Sequence, residues 1–541
     1  MDYLTEFQKD ILDECKIKQS GGLSLPMGSG KTLISLCLTQ LLKGDSKLDL
    51  IVVSKTLLSS WINEIKKFFN EELDYIILHK DYNKNFNSIK FNKDKKVLFL
   101  TTPQVLSKTY STFGIENGLI YYEIVNEGMF GQFNLKKYNL IDKPLYDIPI
   151  DINNKKEYEI QELLYGLKWN SVIIDEVQNY TNIETKQCQS IISVCSKYKW
   201  GISGTILNEP KINNIFGYFM LINDKIMPRD IPSATEYIRR NKNFKGIKET
   251  FIYRETNEMY KSPKKNINII EHTISEDEYN AYICMKNIIK NINKNIKESY
   301  GNDNRSSIEI RRKLNASLLA MIVYLRQVLL CPIIPYSSML LELSSLNNNN
   351  NIVNNIIQNN IKKSELNEYF DNPCNLKSSR IKEIINIINK HSDSKIIIFS
   401  SFRVFIDLIK AYIPNCYTLE SKYSMEKRNE ILSDFEKDKK SGILLLTYQL
   451  GAEGLNLQFC NTVILCDLWW NDAVMSQAIA RIDRYGQKHN ELNIYYLTSN
   501  TCLEKEIIKK NDTKNKQLNE LMVGNIKTNK HVIKIDNILS I

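Results

Sequence analysis

Histidine is scarce, at five in 541 residues, and none of the 11 cysteines falls in a Cys-x-x-Cys pair. Ligands this few and dispersed do not make a zinc site. The cysteines scatter from Cys15 to Cys502, which suits a reducing compartment better than a disulfide framework. Long apolar runs are missing too. Stretches such as residues 442–446 are strand-length, far below the ~20 residues of a membrane span. The start, Met1-Asp2-Tyr3-Leu4, shows no basic region followed by an apolar run, so an intracellular location is expected. Neither sign of charge dominates: 72 Lys and Arg against 62 Asp and Glu leave a formal +10. A polyanionic partner is weakly favoured; a diffuse excess that serves solubility is the plainer alternative.

What is present is ordinary for a globular chain, with 43% apolar and 25% charged residues. The length allows two to four domains, each able to bury its own core. Asn, Ile and Lys are abundant, as in an AT-rich coding sequence. Nine of the fourteen residues 347–360 are Asn, which reads as a loop or insertion. Short β-branched runs alternate with helical segments over 22–25, 50–53, 97–100, 171–174 and 201–203. Buried parallel strands read this way. Helices are predicted over 276–299, 308–330 and 381–389. A second alternating series follows at 395–399, 442–447, 462–467 and 492–497. The expected fold class is α/β, two parallel-sheet domains in tandem with helical insertions between them. The first covers residues 1–256, with an insertion at about 108–168. The second covers 257–512, with its sheet from about 377. A polar, Lys-rich tail occupies 513–541.

Gly28-Ser29-Gly30-Lys31-Thr32 lies between a strand and a helix, the context a phosphate loop needs. Glycines let backbone N–H groups close on a phosphate, and the helix N-terminus adds positive partial charge. Lys31 reaches the β- and γ-phosphates, and Thr32 offers a hydroxyl to Mg²⁺. The full pattern asks for Gly at position 25, where this chain has Leu25. Asp175-Glu176 follows Val172-Ile173-Ile174. Asp175 is placed to hold Mg²⁺ and Glu176 to orient or deprotonate the attacking water. Arg481 and Arg484 are three apart, hence expected on one helical face. Two guanidinium groups match triphosphate oxygens, and a surface helix paired with Asp483 is the alternative.

The ordered set of short motifs resembles the Snf2-type branch of the superfamily 2 helicase-like ATPases, over about residues 4–510. Phe7-Gln8 looks like the element that reads adenine. Leu25-Pro26-Met27 resembles the lead into motif I. Val52 through Trp61, Thr101-Thr102, Asp175 through Asn179 and Gly204-Thr205 with Asn208 resemble motifs Ia, Ib, II and III. Arg254, Pro263-Lys264, Leu325-Arg326-Gln327 and Ser378-Ser379-Arg380 resemble further signatures. Phe399 through Phe402, Gly451 through Leu457, and Gln477 through Gln487 resemble motifs IV, V and VI. Compact members of this branch occur in large cytoplasmic DNA viruses and on cytoplasmic linear plasmids of yeasts. That resemblance favours a host-cell cytoplasm or virion interior, with the nucleus as the other location.

The resemblance implies two RecA-like domains and ATP hydrolysis with Mg²⁺. It assigns catalytic roles to Lys31, Asp175, Glu176, Gln178, Arg481 and Arg484. Gln8, Gly28, Ser29, Gly30, Lys31, Thr32, Glu453 and Gly454 would bind nucleotide, and Thr32 and Asp175 the metal. Arg484, helped by Arg481, would complete the site on domain closure. Thr101, Thr102 and Thr447 would meet a nucleic-acid backbone, duplex DNA being the favoured track, read without sequence preference. Val177-Gln178 and Ile206 depart from the family's Ala-His and Pro, which touches the coupling of hydrolysis to nucleic acid. Trp469-Trp470 suits core or interdomain packing better than base stacking. The insertion, with Tyr121-Tyr122, Gly128, Gly131 and Tyr146, suits a solvent-facing excursion or a contact to an RNA polymerase or other transcription protein. Three functions are weighed: a DNA translocase in transcription or template remodelling, an RNA-directed helicase, and a catalytically weak scaffold.

Overall fold

The computed structural model describes residues 3–69, 73–83, 88–92, 95–116, 158–205, 207–208, 211–222, 232–233, 236–237, 251–254, 262–298, 305–335, 378–438, 442–451, 455, 457–484 and 486–522. Two compact units have their main bodies at Met1–Lys261 and Ser262–Thr513. The Asn-rich stretch 347–360 and the tyrosines and glycines singled out in the insertion lie outside the described residues, as does Ile206.

The first unit is built on strands β1 (Gly21–Ser24), β2 (Leu48–Val52), β3 (Asp74–Leu78), β5 (Val97–Thr101), β7 (Trp169–Asp175), β8 (Ser196–Ser203) and β9 (Phe251–Tyr253). They form one parallel sheet in the order β3-β5-β2-β7-β8-β1-β9. A two-stranded antiparallel ribbon, β4 (Ser88–Ile89) with β6 (Tyr158–Glu159), stands apart. Every residue of β1, β2, β5 and β7 is buried. Helices cover both faces, so these strands are near-continuous apolar runs. The helices are α1 (Glu6–Lys18), α2 (Lys31–Leu41), α3 (Leu58–Phe69), α4 (Pro103–Glu116), α5 (Ile160–Gly166), α6 (Lys186–Ile192) and α7 (Ile212–Leu221). The third buries Leu58, Trp61, Ile65 and Phe69, a stripe at helical spacing. The first begins with a capping box: Thr5 Oγ1 accepts from Gln8 N, and Gln8 Oε1 accepts from Thr5 N.

The second unit's sheet is also parallel, in the order β10-β15-β14-β11-β13-β12. Its strands are β10 (Lys264–His272), β11 (Ile396–Ser400), β12 (Tyr417–Thr418), β13 (Ile443–Thr447), β14 (Thr462–Leu465) and β15 (Glu491–Ser499). Between β10 and β11 come two long helices, α8 (Glu276–Glu298) and α9 (Arg305–Val328). Around it lie α10 (Ser379–Lys390), α11 (Arg403–Tyr412), α12 (Met425–Lys437), α13 (Tyr448–Gly451), α14 (Asp472–Ile479) and α15 (Cys502–Met522). The α8 and α9 side chains join the same apolar core as β11, β13 and β14, through Met285, Ile289, Leu325 and Val328 beside Phe399, Leu446 and Leu465. The described residues thus show two parallel-sheet α/β units, as the apolar periodicity implied.

Three features differ from the sequence reading. Strands β3, β9 and β10 escaped it, and each is the edge strand of its sheet; β3 and β9 carry only short apolar runs, at 75–78 and 251–253, while β10 is mostly polar and exposed. Arg481 and Arg484 do not share a helical face. The helix ends at Ile479, and both arginines sit in turns closed by Arg481 N to Ala478 O and Gln487 N to Arg484 O. Past Asp512 the expected tail continues as helix as far as Met522, after a stripe of buried Leu503, Ile507 and Asn511. No helix among the described residues is long and apolar enough to cross a membrane.

Candidate nucleotide site in the first unit

The strand order explains how separated segments meet. The phosphate loop leaves the carboxyl end of β1. Its neighbour β8 ends at Ser203, and the next strand over, β7, ends at Asp175. Adjacent strands are ~4.8 Å apart, so the three ends form one rim. In open α/β sheets ligands bind at this edge. The loop crosses the end of β8, with Leu25 N donating to Ser203 O at 3.0 Å. Leu25 is itself buried in the core, which accounts for an apolar residue where the phosphate-loop pattern asks for Gly.

Gly28 and Gly30 have φ of +82° and +76°, the left-handed region that favours glycine. A Cβ at Gly30 would also lie 2.5 Å from Gln8 Nε2. Gln8 is buried, and its Nε2 donates to Ser29 O at 3.0 Å. The residue expected to read adenine therefore braces the phosphate loop, with its Oε1 already accepting from Thr5 N. The Lys31 ammonium lies 3.4 Å from Leu25 O, 3.3 Å from Pro26 O and 3.6 Å from Met27 Sδ. It thus leans over the loop it follows. Thr32, half-buried, occupies the second position of α2.

Asp175 is buried, yet both carboxylate oxygens accept hydrogen bonds. Trp61 Nε1 donates to Oδ2 at 3.0 Å and Glu176 N to Oδ1 at 3.0 Å. Burial foremost, and then the adjoining Glu176 carboxylate, push its carboxyl up to about 7, against the Trp61 bond and the Lys31 charge. Glu176 itself has φ +48° and ψ +47°, a left-handed conformation that costs a non-glycine residue about 1–3 kcal/mol and concentrates at functional sites. Gln178 is buried, and its Nε2 donates to Glu176 Oε2 at 2.6 Å. The Gln at the position where the resemblance expects His thus holds the Glu176 carboxylate without a titrating ring. Asn208 Nδ2 donates to Gln178 O at 3.2 Å and to Asn179 Oδ1 at 2.9 Å, tying the segment after β8 to the one after β7. A methyl on Gly204 would sit 2.9 Å from Met27 Cε and 3.6 Å from Lys31 Nζ, so that segment also touches the phosphate loop.

The donor set fits a magnesium nucleotide. Ser29 Oγ, Thr205 Oγ1 and Gln178 Oε1 are buried without a hydrogen-bond partner, one on each of the three segments. A carboxyl raised by burial and then by a neighbouring carboxylate is relieved by a cation. Thr32 and Asp175 supply one hydroxyl and one carboxylate, the sparse oxygen set Mg²⁺ accepts when phosphates and water complete its shell. No cluster of three His, Cys, Asp or Glu that could hold a metal occurs among the described residues.

Other expected contacts fare differently. Thr101 and Thr102 are 0% exposed. Thr101 Oγ1 reaches Leu78 O at 3.5 Å, and Thr102 Oγ1 accepts from Val105 N at 3.3 Å. Covered hydroxyls offer nothing to a nucleic-acid backbone; in this structure they shape the turn into α4. Thr447 is half-buried, with Oγ1 accepting from Leu450 N at 3.4 Å. Glu453 and Gly454 lie outside the described residues. In the second unit Arg481 is buried and Arg484 half-buried, while Asp483 is held by Ser262 Oγ at 2.8 Å and Lys265 Nζ at 2.5 Å. Trp61 was missed as a site residue. It is 114 positions from Asp175, and no local pattern announces their bond.

Phosphate loop, acidic pair and bracing glutamine on the rim of a parallel sheet define a phosphate-loop nucleoside triphosphatase. The SNF2-related domain profile matches residues 11–332, and the helicase conserved C-terminal domain profile matches residues 377–486. The chain belongs to the SNF2-related family and is an ATP-hydrolysing, helicase-like enzyme. It is 25% identical to the "Putative helicase 172L" of Invertebrate iridescent virus 6, over 91% of this chain and 83% of that one. It is 24% identical to the DNA repair and recombination protein RAD54-like of Drosophila willistoni, over 68% of this chain and 47% of that one. It is 23% identical to the uncharacterized ATP-dependent helicase MG018 of Mycoplasma genitalium, over 66% of this chain and 31% of that one. The chain thus spans less than half the length of the latter two relatives. Among solved structures, the Sulfolobus solfataricus SWI2/SNF2 ATPase core in complex with dsDNA aligns over 96% of this chain and 93% of that one, at 19% identity and a TM-score of 0.36.

Proposed function

We propose that the chain is a nucleic-acid-dependent ATPase that translocates on duplex DNA, acting in transcription or template remodelling. The observation that carries the ATPase part is the single cluster of Lys31, Asp175, Glu176 and Gln178 beneath a loop braced by Gln8. Lys31 and the loop N–H groups bind the triphosphate. Thr32 and Asp175 would hold Mg²⁺, which would neutralise charge on the phosphates. Glu176, fixed by Gln178, orients the attacking water and takes its proton. Arg481 and Arg484 supply positive charge to the transferred phosphoryl, a contribution worth ~10³–10⁵ in comparable systems. Membership of the SNF2-related family and the formal +10 charge support a nucleic-acid track. The name of the RAD54-like relative, a DNA repair and recombination protein, favours DNA. The long match to an iridescent-virus protein supports action in a host-cell cytoplasm or virion interior. A transcription protein such as an RNA polymerase belongs to the same proposal as partner of the insertion.

The test is steady-state ATP hydrolysis at low salt with no nucleic acid, duplex DNA, single-stranded DNA or RNA, with Glu176→Gln as control. Stimulation of at least ~10-fold by duplex DNA, lost in the control, is expected. A preference for RNA would replace the proposal with an RNA-directed helicase. Absence of activity with every ligand would replace it with a scaffold.

A further inference from the structure

Arg326 lies on α9, in the helical region between β10 and β11 of the second sheet, and its side chain is 5% exposed. Its Nη2 donates to Asp467 Oδ2 at 3.2 Å, Leu468 O at 2.8 Å and Ser401 Oγ at 3.4 Å. Its guanidinium carbon is 5.0 Å from the Phe402 ring centroid, 4.9 Å from Trp469 and 5.9 Å from Trp470. All three are within cation–π range. Asp467 gathers the surroundings further. Its Oδ1 accepts from Ser400 Oγ at 2.7 Å and Ser401 N at 2.9 Å, and its carbonyl accepts from Tyr448 Oη at 2.8 Å. One arginine therefore ties together the carboxyl ends of β11 and β14 and, through Asp467, the start of α13.

That position matters topologically. The chain runs from β11 outward to β12 and β13, then returns past β11 to β14 and β15. The β11–β14 boundary is the switch point of the sheet, where open α/β folds place ligands. Phe402, Trp469 and Trp470 are only half-buried there. A buried ion pair is weak grounds for stability, since packed apolar groups serve as well. A planar cation stacked among aromatic rings does fix their orientation.

We propose that Arg326 is a positioning residue for nucleic-acid-stimulated hydrolysis, holding the Trp469-Trp470 pair and the loop ends of the second sheet in their working arrangement. The stimulation part rests on the function proposed above; the hold on the tryptophans does not. Two variants test it. Arg326→Lys keeps a charge for Asp467 and loses the planar stack. Arg326→Gln keeps hydrogen-bonding capacity and loses the charge.

The chain has five tryptophans, and Trp61, Trp169 and Trp200 are at most 2% exposed. Acrylamide quenching of tryptophan emission therefore reports on Trp469 and Trp470. For Arg326→Lys the expected result is a melting temperature near wild type, retained basal hydrolysis, raised quenching, and a duplex concentration for half-maximal stimulation at least ~5-fold higher. Arg326→Gln should show the same changes, larger. A merely structural role would instead lower basal and stimulated rates together, in step with lost folded protein, and that result would overturn the proposal. So would unchanged quenching in both variants. If the wild type shows no stimulation by any nucleic acid, the proposed function fails and stimulation drops out of the inference. Quenching then decides alone whether Arg326 holds the pair.

Discussion

Replacing Asp175 by Asn should stabilise the protein at alkaline pH and destabilise it in mild acid. In the native fold the carboxyl is raised from 3.8 to about 7, chiefly by burial. The folded chain therefore binds this proton more tightly than the unfolded chain. Stability is full below the unfolded pKa near 4 and declines as pH rises towards 7. At 1.36 kcal/mol per unit, the ionised carboxylate costs about 4 kcal/mol once pH exceeds 7. Asn removes that cost. It also removes one acceptor, since both oxygens of Asp175 are used, by Trp61 Nε1 and Glu176 N. A donor left facing an amide N–H₂ costs about 1–3 kcal/mol. The charge effect wins at pH 8; at pH 5 it has fallen to about 2 kcal/mol and the two nearly balance, and below that the lost hydrogen bond wins. Between about pH 5 and pH 8 the variant should gain roughly 3 kcal/mol on wild type, about 6 °C in melting temperature for a unit of this size. The assay is thermal unfolding in EDTA without nucleotide, across that range. A difference that does not vary with pH, or a variant less stable at pH 8, would refute the reasoning. Adding Mg²⁺ and ATP should then stabilise wild type and leave the variant nearly unmoved.

Gly30→Ala should lower ATP affinity at least ~10-fold, because its φ of +76° and a 2.5 Å approach to Gln8 Nε2 admit no side chain; nucleotide titration by fluorescence checks this. Gly217→Ala should destabilise the first unit by more than ~3 kcal/mol, as the new methyl would lie 1.9 Å from the Thr181 carbonyl behind the acidic pair; thermal melts and hydrolysis rates should fall together. Arg380, fully buried, donates to Cys466 O, Leu497 O and Glu504 Oε2. Arg380→Met should cost about 3–5 kcal/mol by stranding Glu504, and Arg380→Met with Glu504→Leu should recover part of it in a double-mutant cycle.

Local chemistry was legible before the fold was known. A phosphate loop must be contiguous, so Gly28 through Thr32 announced it, and Asp175-Glu176 stood out as acids ending an apolar run. Central strands such as β2 and β7 showed themselves because burial on both faces demands unbroken apolar residues. What stayed hidden depends on residues far apart in the chain. The Trp61–Asp175 bond spans 114 positions, and the raised Asp175 pKa reflects every group that displaces water around it. Thr101 and Thr102 were expected to meet a nucleic-acid backbone, and only the folded chain shows them buried. Arg326 was a letter in a helix signature; packing against the ends of β11 and β14 made it a cation among three rings. Edge strand β10 is mostly polar and exposed, and edge strand β3 is a short apolar run after an exposed Asp74, so only sheet pairing discloses them. Sequence alone therefore determined the candidate site groups and the two parallel sheets, since both follow from short-range spacing. Tertiary structure decided which of those groups are accessible, how they are charged and what holds them, since burial and dielectric are properties of the assembled neighbourhood.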